Sequence, residues 1–164
     1  MAGPIINMDD LEFEPVGNGN RFEAERASVS RHIGAQMLAY GVVRVPPGKR
    51  AWPYHAHLGN EEMFYVLEGE GTLRHAGAEY PIRAGDFICS PPDPDQPHQI
   101  INTSDADITY IALGTASRPD IFVYPDSGKY GAFDGDMNGD RKDSRFLVFA
   151  RESDAAGYFD GEDD

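Results

Sequence analysis

Apolar residues along this chain come in short clusters, not in long periodic stripes. Runs rich in Val, Ile, Tyr, Phe and Leu occupy residues 36–45, 62–68, 71–75, 80–83, 87–90, 98–102, 108–113, 121–124 and 145–151. Each has the length of a strand, and glycine or proline punctuates the gaps between them. Glu68-Gly-Glu-Gly71 and His75-Ala-Gly-Ala78 have the composition of tight turns. No long window carries a 3.6-residue period. The best helix candidate is 21–29, on its Glu, Ala and Arg content, although its apolar stripe is weak. Residues 126–143, rich in Gly and Asp, read as a solvated loop. Within it, Asp134-Gly-Asp136-Met-Asn138-Gly-Asp140 superficially resembles a calcium loop. The ligand spacing and central glycine do not fit an EF-hand, and no flanking helices are evident. Many short strands at this spacing predict an all-β sandwich or barrel.

At 164 residues the chain matches one ordinary domain, long enough to bury a core without staples. No stretch approaches the roughly 20 apolar residues of a spanning helix. The N-terminus has neither a basic start nor a long apolar run, so no secretory signal is expected. One cysteine, Cys89, cannot form an internal disulfide, which fits a reducing compartment. A cytoplasmic protein is the expectation. The net charge of −14 makes nucleic acid and anionic lipid poor partners. Residues 1–14 hold four acids and no base, and 134–164 hold ten acids against four bases, so much of the excess sits at the ends. The last four residues read as a frayed tail. A mildly charged middle leaves small neutral or weakly anionic molecules open as ligands.

Two windows carry the candidate chemistry. The first is His55-Ala-His57-Leu-Gly-Asn-Glu61-Glu62, and the second is Pro97-His98-Gln-Ile-Ile-Asn102. On a strand, His55 and His57 would project from one face about 7 Å apart. Leu58-Gly-Asn60 signals a turn, after which a glutamate opens the returning strand. Parity groups Glu62 with Phe64 and Val66, and Glu61 with Met63 and Tyr65, and does not decide between the two. A lone His-x-His is common on surfaces, and the second window is what raises the pair above that baseline. Imidazoles with a carboxylate suit a first-row divalent metal, and no thiolate of a structural zinc site is present.

Gly48…His55-x-His57-x₄-Glu62-x₆-Gly69 is similar to the first sequence motif of the cupins, and Gly85-Asp86-Phe87-Ile88-Cys89-Ser90-Pro91…His98-x₃-Asn102 is similar to the second. The resemblance covers about residues 37–114. It implies a double-stranded β-helix, a jelly-roll-like barrel at 35–125, with an N-terminal extension at 1–34 and a C-terminal extension with an acidic tail at 126–164. It implies His55, His57, Glu62 and His98 as ligands of a divalent transition metal (Fe, Zn, Mn or Ni), and so selects Glu62 over Glu61. It also implies a homodimer, since such barrels commonly pair through strands. The chain departs from the pattern in three ways. There is one extra residue between Gly48 and His55, two extra between Pro91 and His98, and a glycine is missing in that second interval. Residues 114–128 are similar to a group of small bacterial cupins.

Cupin ligand sets of this kind support dioxygenases, decarboxylases, isomerases and binding proteins alike, so they do not choose a reaction. The expected function is a metal-dependent enzyme on a small polar organic molecule, by oxidation or isomerisation of a sugar derivative or a keto/enol acid. The alternative is a non-catalytic binding or sensing protein anchored by the metal. Around the site, Phe64, Val66 and Ile100 are expected to line an apolar pocket, and Asn102 to support His98. Trp52, Tyr54 and Gln99 are expected to point away from the ion, His75 and His32 to be solvated, and Cys89 to be a small buried residue. Lys49 and Arg50 are candidates for holding a carboxylate.

Overall fold

The computed structural model describes residues 3–162. In chain order the strands among them are β1 (Glu14–Asn18), β2 (Phe22–Ser28), β3 (Leu38–Val45), β4 (Ala56–His57), β5 (Glu62–Glu68), β6 (Glu70–His75), β7 (Ala78–Arg83), β8 (Phe87–Ser90), β9 (His98–Ile101), β10 (Ile108–Thr115), β11 (Asp120–Tyr124), β12 (Lys129–Asp134) and β13 (Phe146–Arg151). The α-helix α1 (Val29–Ile33) is one turn and a half, ended by Gly34 in the left-handed region. No helix among the described residues is long and apolar enough to cross a membrane.

The strands form a six-stranded sheet in the order β1-β2-β3-β10-β5-β8, a four-stranded sheet β13-β12-β11-β4, and a three-stranded sheet β7-β6-β9. All of their pairings are antiparallel. His55 and His98 exchange both backbone hydrogen bonds, at 3.2 and 2.8 Å, and this bridge joins the two smaller sheets into one layer. That layer faces the six-stranded sheet across the core, which gives a double-stranded β-helix. The core is filled by alternate residues of both layers, among them Val43, Val45, Phe64, Val66, Ile100 and Ile108. Parity is cleanest in β8, where Phe87 and Cys89 face out while Ile88 and Ser90 face in. Cys89 is therefore exposed, not buried as expected. The short apolar run Phe-Ile-Cys-Ser hides which of its two faces is wet.

Two expectations about elements fail. Residues 21–29 are a strand for most of their length. Phe22, Ala24 and Arg26 share one face and Glu23 and Glu25 the other, a period-2 pattern masked because its inner residues are small or charged. Helix propensity there yields to pairing with β1 on one side and β3 on the other. The Gly/Asp-rich segment likewise contains β12, hydrogen-bonded between β11 and β13. Gly131 of β12 stands between Phe122 and Phe149, and a Cβ there would lie 2.7 Å from the Phe149 ring. The glycine lets the two flanking phenyl groups close over the strand. Further along, Asn138 donates to Ala35 O and Leu38 O and accepts from Ser30 Oγ, which anchors this segment to the start of β3.

Candidate metal centre

His57 on β4, His55 just before it and His98 on β9 lie on one layer, and β5 carries the glutamate on the other. The turn at 58–60 takes the chain across from β4 to β5. Its Asn60 is almost fully buried and clamps the crossing. The amide Nδ2 donates to Ser117 O, and Oδ1 accepts from Ser117 N and Thr115 Oγ. The crossing places Glu62 inward with Phe64 and Val66, while Glu61 is exposed. His57 is paired with Phe122 of β11 and His55 with His98.

Each imidazole uses its Nδ1 on a protein partner. His55 Nδ1 lies 2.8 Å from Pro53 O, His57 Nδ1 lies 2.6 Å from Asp120 Oδ2, and His98 Nδ1 lies 2.6 Å from Ser90 Oγ. A carbonyl only accepts, so His55 carries its proton on Nδ1 and leaves Nε2 as a lone pair. The Nε2 atoms of His98 and His57 stand 3.0 and 3.4 Å from the same Glu62 oxygen, Oε2. That oxygen is buried and makes no hydrogen bond. Close nitrogens without hydrogen-bond alignment are what donors to a shared ion look like. Donors about 2.1 Å from an ion and adjacent on an octahedron lie roughly 3 Å apart. His55, Glu62 and His98 each bring one ligand atom within 4.8 Å of the others, a cluster compatible with a divalent metal, and His57, the fourth expected ligand, stands outside it.

The electrostatics favour the deprotonated forms of His55 and Glu62, whereas His57 is held the other way. Burial and the neighbouring His98 lower the His55 pKa to about 4, so it is neutral near pH 7. Burial opposes the charge on Glu62, but the surrounding imidazoles, His98 foremost, bring its pKa down to about 2. His57 is pulled down by burial and pulled up more strongly by its hydrogen bond to Asp120 and by Glu62, for a net rise. Asp120 is fully buried, and the bonds from His57 and from Gly59 N keep its carboxyl below the usual range against the effect of burial. A carboxylate behind an imidazole in this way fixes the ring and raises its basicity.

Two cavities meet the cluster. A small one of about 40 Å³ lies against His55, Glu62 and His98, walled by Phe64, Ile100 and Tyr110. A larger one of about 240 Å³ contains His55, His57 and Glu62, and extends to the aromatic and aliphatic side chains of β11, β12 and β13. Phe64 and Ile100 line the pocket as expected, and Val66 belongs to the core. Tyr54 packs away from the site, with its hydroxyl accepting from Gly77 N and the Arg74 guanidinium 3.7 Å over its ring.

Several neighbours differ from expectation. Trp52 lines both cavities, because residues 51–54 are not a strand and alternation does not apply. Gln99 is buried, donates to Trp52 O at 2.7 Å, and borders the small cavity. His75 is half-buried, and burial with nearby His98 lowers its pKa. Asn102 does not support His98. Its Nδ2 donates to Val45 O and Ala106 O, and its Oδ1 accepts from Ser104, which closes the loop after β9. Lys49 pairs with Glu23 outside the cavities. The residues that reading the sequence missed are Ser90 and Asp120. Ser90 and Asp120 each sit at a strand end, where an inward polar side chain was the available signal.

Residues 41–114 match the cupin domain family. The oxalate-binding protein of Thermotoga maritima is 31% identical over 118 residues, covering 68% of this chain and 93% of that protein. Among solved structures, a sugar phosphate isomerase of the cupin superfamily from Silicibacter pomeroyi superposes with a TM-score of 0.76 at 23% identity, covering 96% of this chain and 98% of the other. That likeness concerns the fold, and it extends over the terminal segments. A predicted oxalate decarboxylase from Thermotoga maritima has a TM-score of 0.59 at 27% identity, covering 68% of this chain and 97% of the other.

Proposed function

The chain belongs to the cupin family, and from that premise we propose that it is a metal-dependent enzyme acting on a small polar organic molecule. His55, His57, Glu62 and His98 are the ligands, and the ion is Fe, Zn, Mn or Ni. The observation that carries this is the convergence of imidazole Nε2 atoms on Glu62 Oε2, a buried oxygen without a hydrogen bond. When bound, the ion supplies a Lewis acid, with positions beyond the four protein donors for oxygen atoms of a substrate. The chain's own residues do the rest. Pro53, Ser90 and Asp120 hold the imidazoles in orientation. Phe64, Ile100 and Tyr110 keep bulk water from the ligand side of the pocket. The reaction is oxidation or isomerisation of a keto/enol acid or a sugar derivative. The relationship to an oxalate-binding protein favours the acid.

The same relationship favours a second reading, a binding protein that holds a small anion at the metal without converting it. We read residues 35–125 as the barrel and 1–34 and 126–164 as extensions that complete the pocket, in a cytoplasmic homodimer. The test is elemental analysis combined with turnover. Wild-type protein is expected to hold about one metal per chain, and His57→Ala to lose most of it. Unchanged metal in His57→Ala refutes the ligand set. Metal-loaded protein incubated with keto acids and sugar derivatives under air, followed by proton NMR, separates the two readings. New products mark the enzyme, and unchanged ligand with saturable binding marks the binding protein.

A further inference from the structure

One ligand set serves many reactions in this fold, so selectivity must come from other groups in the pocket. Most of the larger cavity is apolar, and at about 240 Å³ it is below the size of drug-binding pockets, so it suits a small molecule. Arg26 is the one cation among its described lining residues. It lies on β2, opposite Val43 of β3, and is half-buried on the face that also carries Ala24 of the core. It falls outside the segment that matches the family, and so does much of the aromatic wall formed by Phe122, Tyr124 and Phe149.

A guanidinium beside an apolar wall attracts an anion more strongly than one in water, because the local dielectric is lower. Its planar fork fits a carboxylate or phosphate with two parallel hydrogen bonds. An anionic ligand needs such a group here. It would enter a chain of net charge −14 and approach the carboxylate of Glu62. Lys49 and Arg50, the cations closest to His55 in sequence, do not line this cavity.

We infer that Arg26 recognises the oxyanion, carboxylate or phosphate, of a small ligand whose other oxygen atoms face His55, His57 and Glu62. This rests on the metal-centre reading and names the ligand class for it.

The test uses the full chain loaded with manganese(II), as wild type, Arg26→Gln and Arg26→Lys. Oxalate, pyruvate, inorganic phosphate and the neutral polyol erythritol are titrated by calorimetry, with Trp52 fluorescence as a second readout from within the cavity. Wild type is expected to bind at least one oxyanion more tightly than erythritol, and the carboxylate and phosphate arms identify which. Arg26→Gln is expected to weaken that binding about tenfold or more, the loss of one charged hydrogen-bonding partner, with manganese content unchanged. Arg26→Lys, which keeps the charge and the fold but not the fork, should fall between the two. Equal oxyanion affinity in Arg26→Gln and wild type overturns the assignment, as does the lack of any oxyanion binding to loaded wild type. If wild type fails to retain manganese, it is the metal-centre reading that fails. The same titration on metal-free protein then decides on Arg26 separately, its dependence on the guanidinium upholding the assignment and its absence ending it.

Discussion

Glu62 is the residue on which the site turns, because its Oε2 is the point that the Nε2 atoms of His57 and His98 share. Its partners hold their orientation only as far as the groups behind them do. Asp120 is the strongest of these, fully buried and 2.6 Å from His57 Nδ1. Asp120→Asn keeps the shape and removes the charge. It is expected to weaken metal affinity about 10–100-fold with little change in fold, measured by competition with a chromogenic chelator. Affinity equal to wild type would mean that His57 does not depend on Asp120.

The metal-free protein should also reveal the neutral state of His55. Its folded pKa of about 4 lies below the ordinary 6.5, so only the unfolded chain takes up a proton at this position between those values. Stability should therefore fall as pH drops from 6.5 to 4. Glu62, depressed to about 2 from 4.5, contributes stability above 4.5 that is lost as pH falls through about 2. His57, raised, contributes stability that is complete below 6.5 and lost as pH rises through its folded pKa, so it does not oppose the trend in that window. Thermal melts of metal-free protein are expected to show a steeper decline between pH 6.5 and 4 in wild type than in His55→Gln. Parallel curves would contradict the buried neutral imidazole.

Among the elements, β12 most rewards attention, because a glycine holds its place. At Gly131 a side chain would meet Phe149 at 2.7 Å and Phe122 at 3.0 Å. Gly131→Val is expected to cost about 1–3 kcal/mol by overpacking, read as a lowered midpoint in urea unfolding. A midpoint equal to wild type would mean that the rings do not close over β12. This glycine also explains why β12 was hard to see in the sequence. Lys-Tyr-Gly-Ala-Phe-Asp contains a strand-weakening residue and lies in an Asp-rich stretch, so composition outvoted pattern. β2 was hidden for a related reason, since Ala24 and Arg26 carry the inner face without looking apolar. β4 is two residues long and is defined by its partner β11, information that a local window does not contain. By contrast β5, β8 and β9 are legible, since Val, Ile, Phe and Tyr fill them between turn residues. The grouping of His55, Glu62 and His98 was legible through the resemblance to the cupin motifs, which also chose Glu62 over Glu61. Asp120 was not, because its contact with His57 depends on the long-range pairing that brings β11 beside β4.

At the scale of the whole molecule, the two layers leave β13 as the outer edge of the four-stranded sheet. Phe146, Leu147, Val148 and Phe149 on it remain 36–49% exposed. An apolar unpaired edge is a natural pairing surface between copies. Size-exclusion chromatography with light scattering is expected to give twice the 18.0 kDa of one chain. Val148→Lys is expected to shift the protein to the single-chain mass. A wild-type protein that runs at 18.0 kDa across the micromolar range would contradict the homodimer.

Anomalous diffraction recorded at the absorption edge of the metal found in the purified protein tests the metal centre most directly. The expected result is one peak within bonding distance of the Nε2 atoms of His55, His57 and His98 and of Glu62 Oε2. Crystals soaked in that metal with no peak among these four side chains, or with the peak held elsewhere, would contradict it.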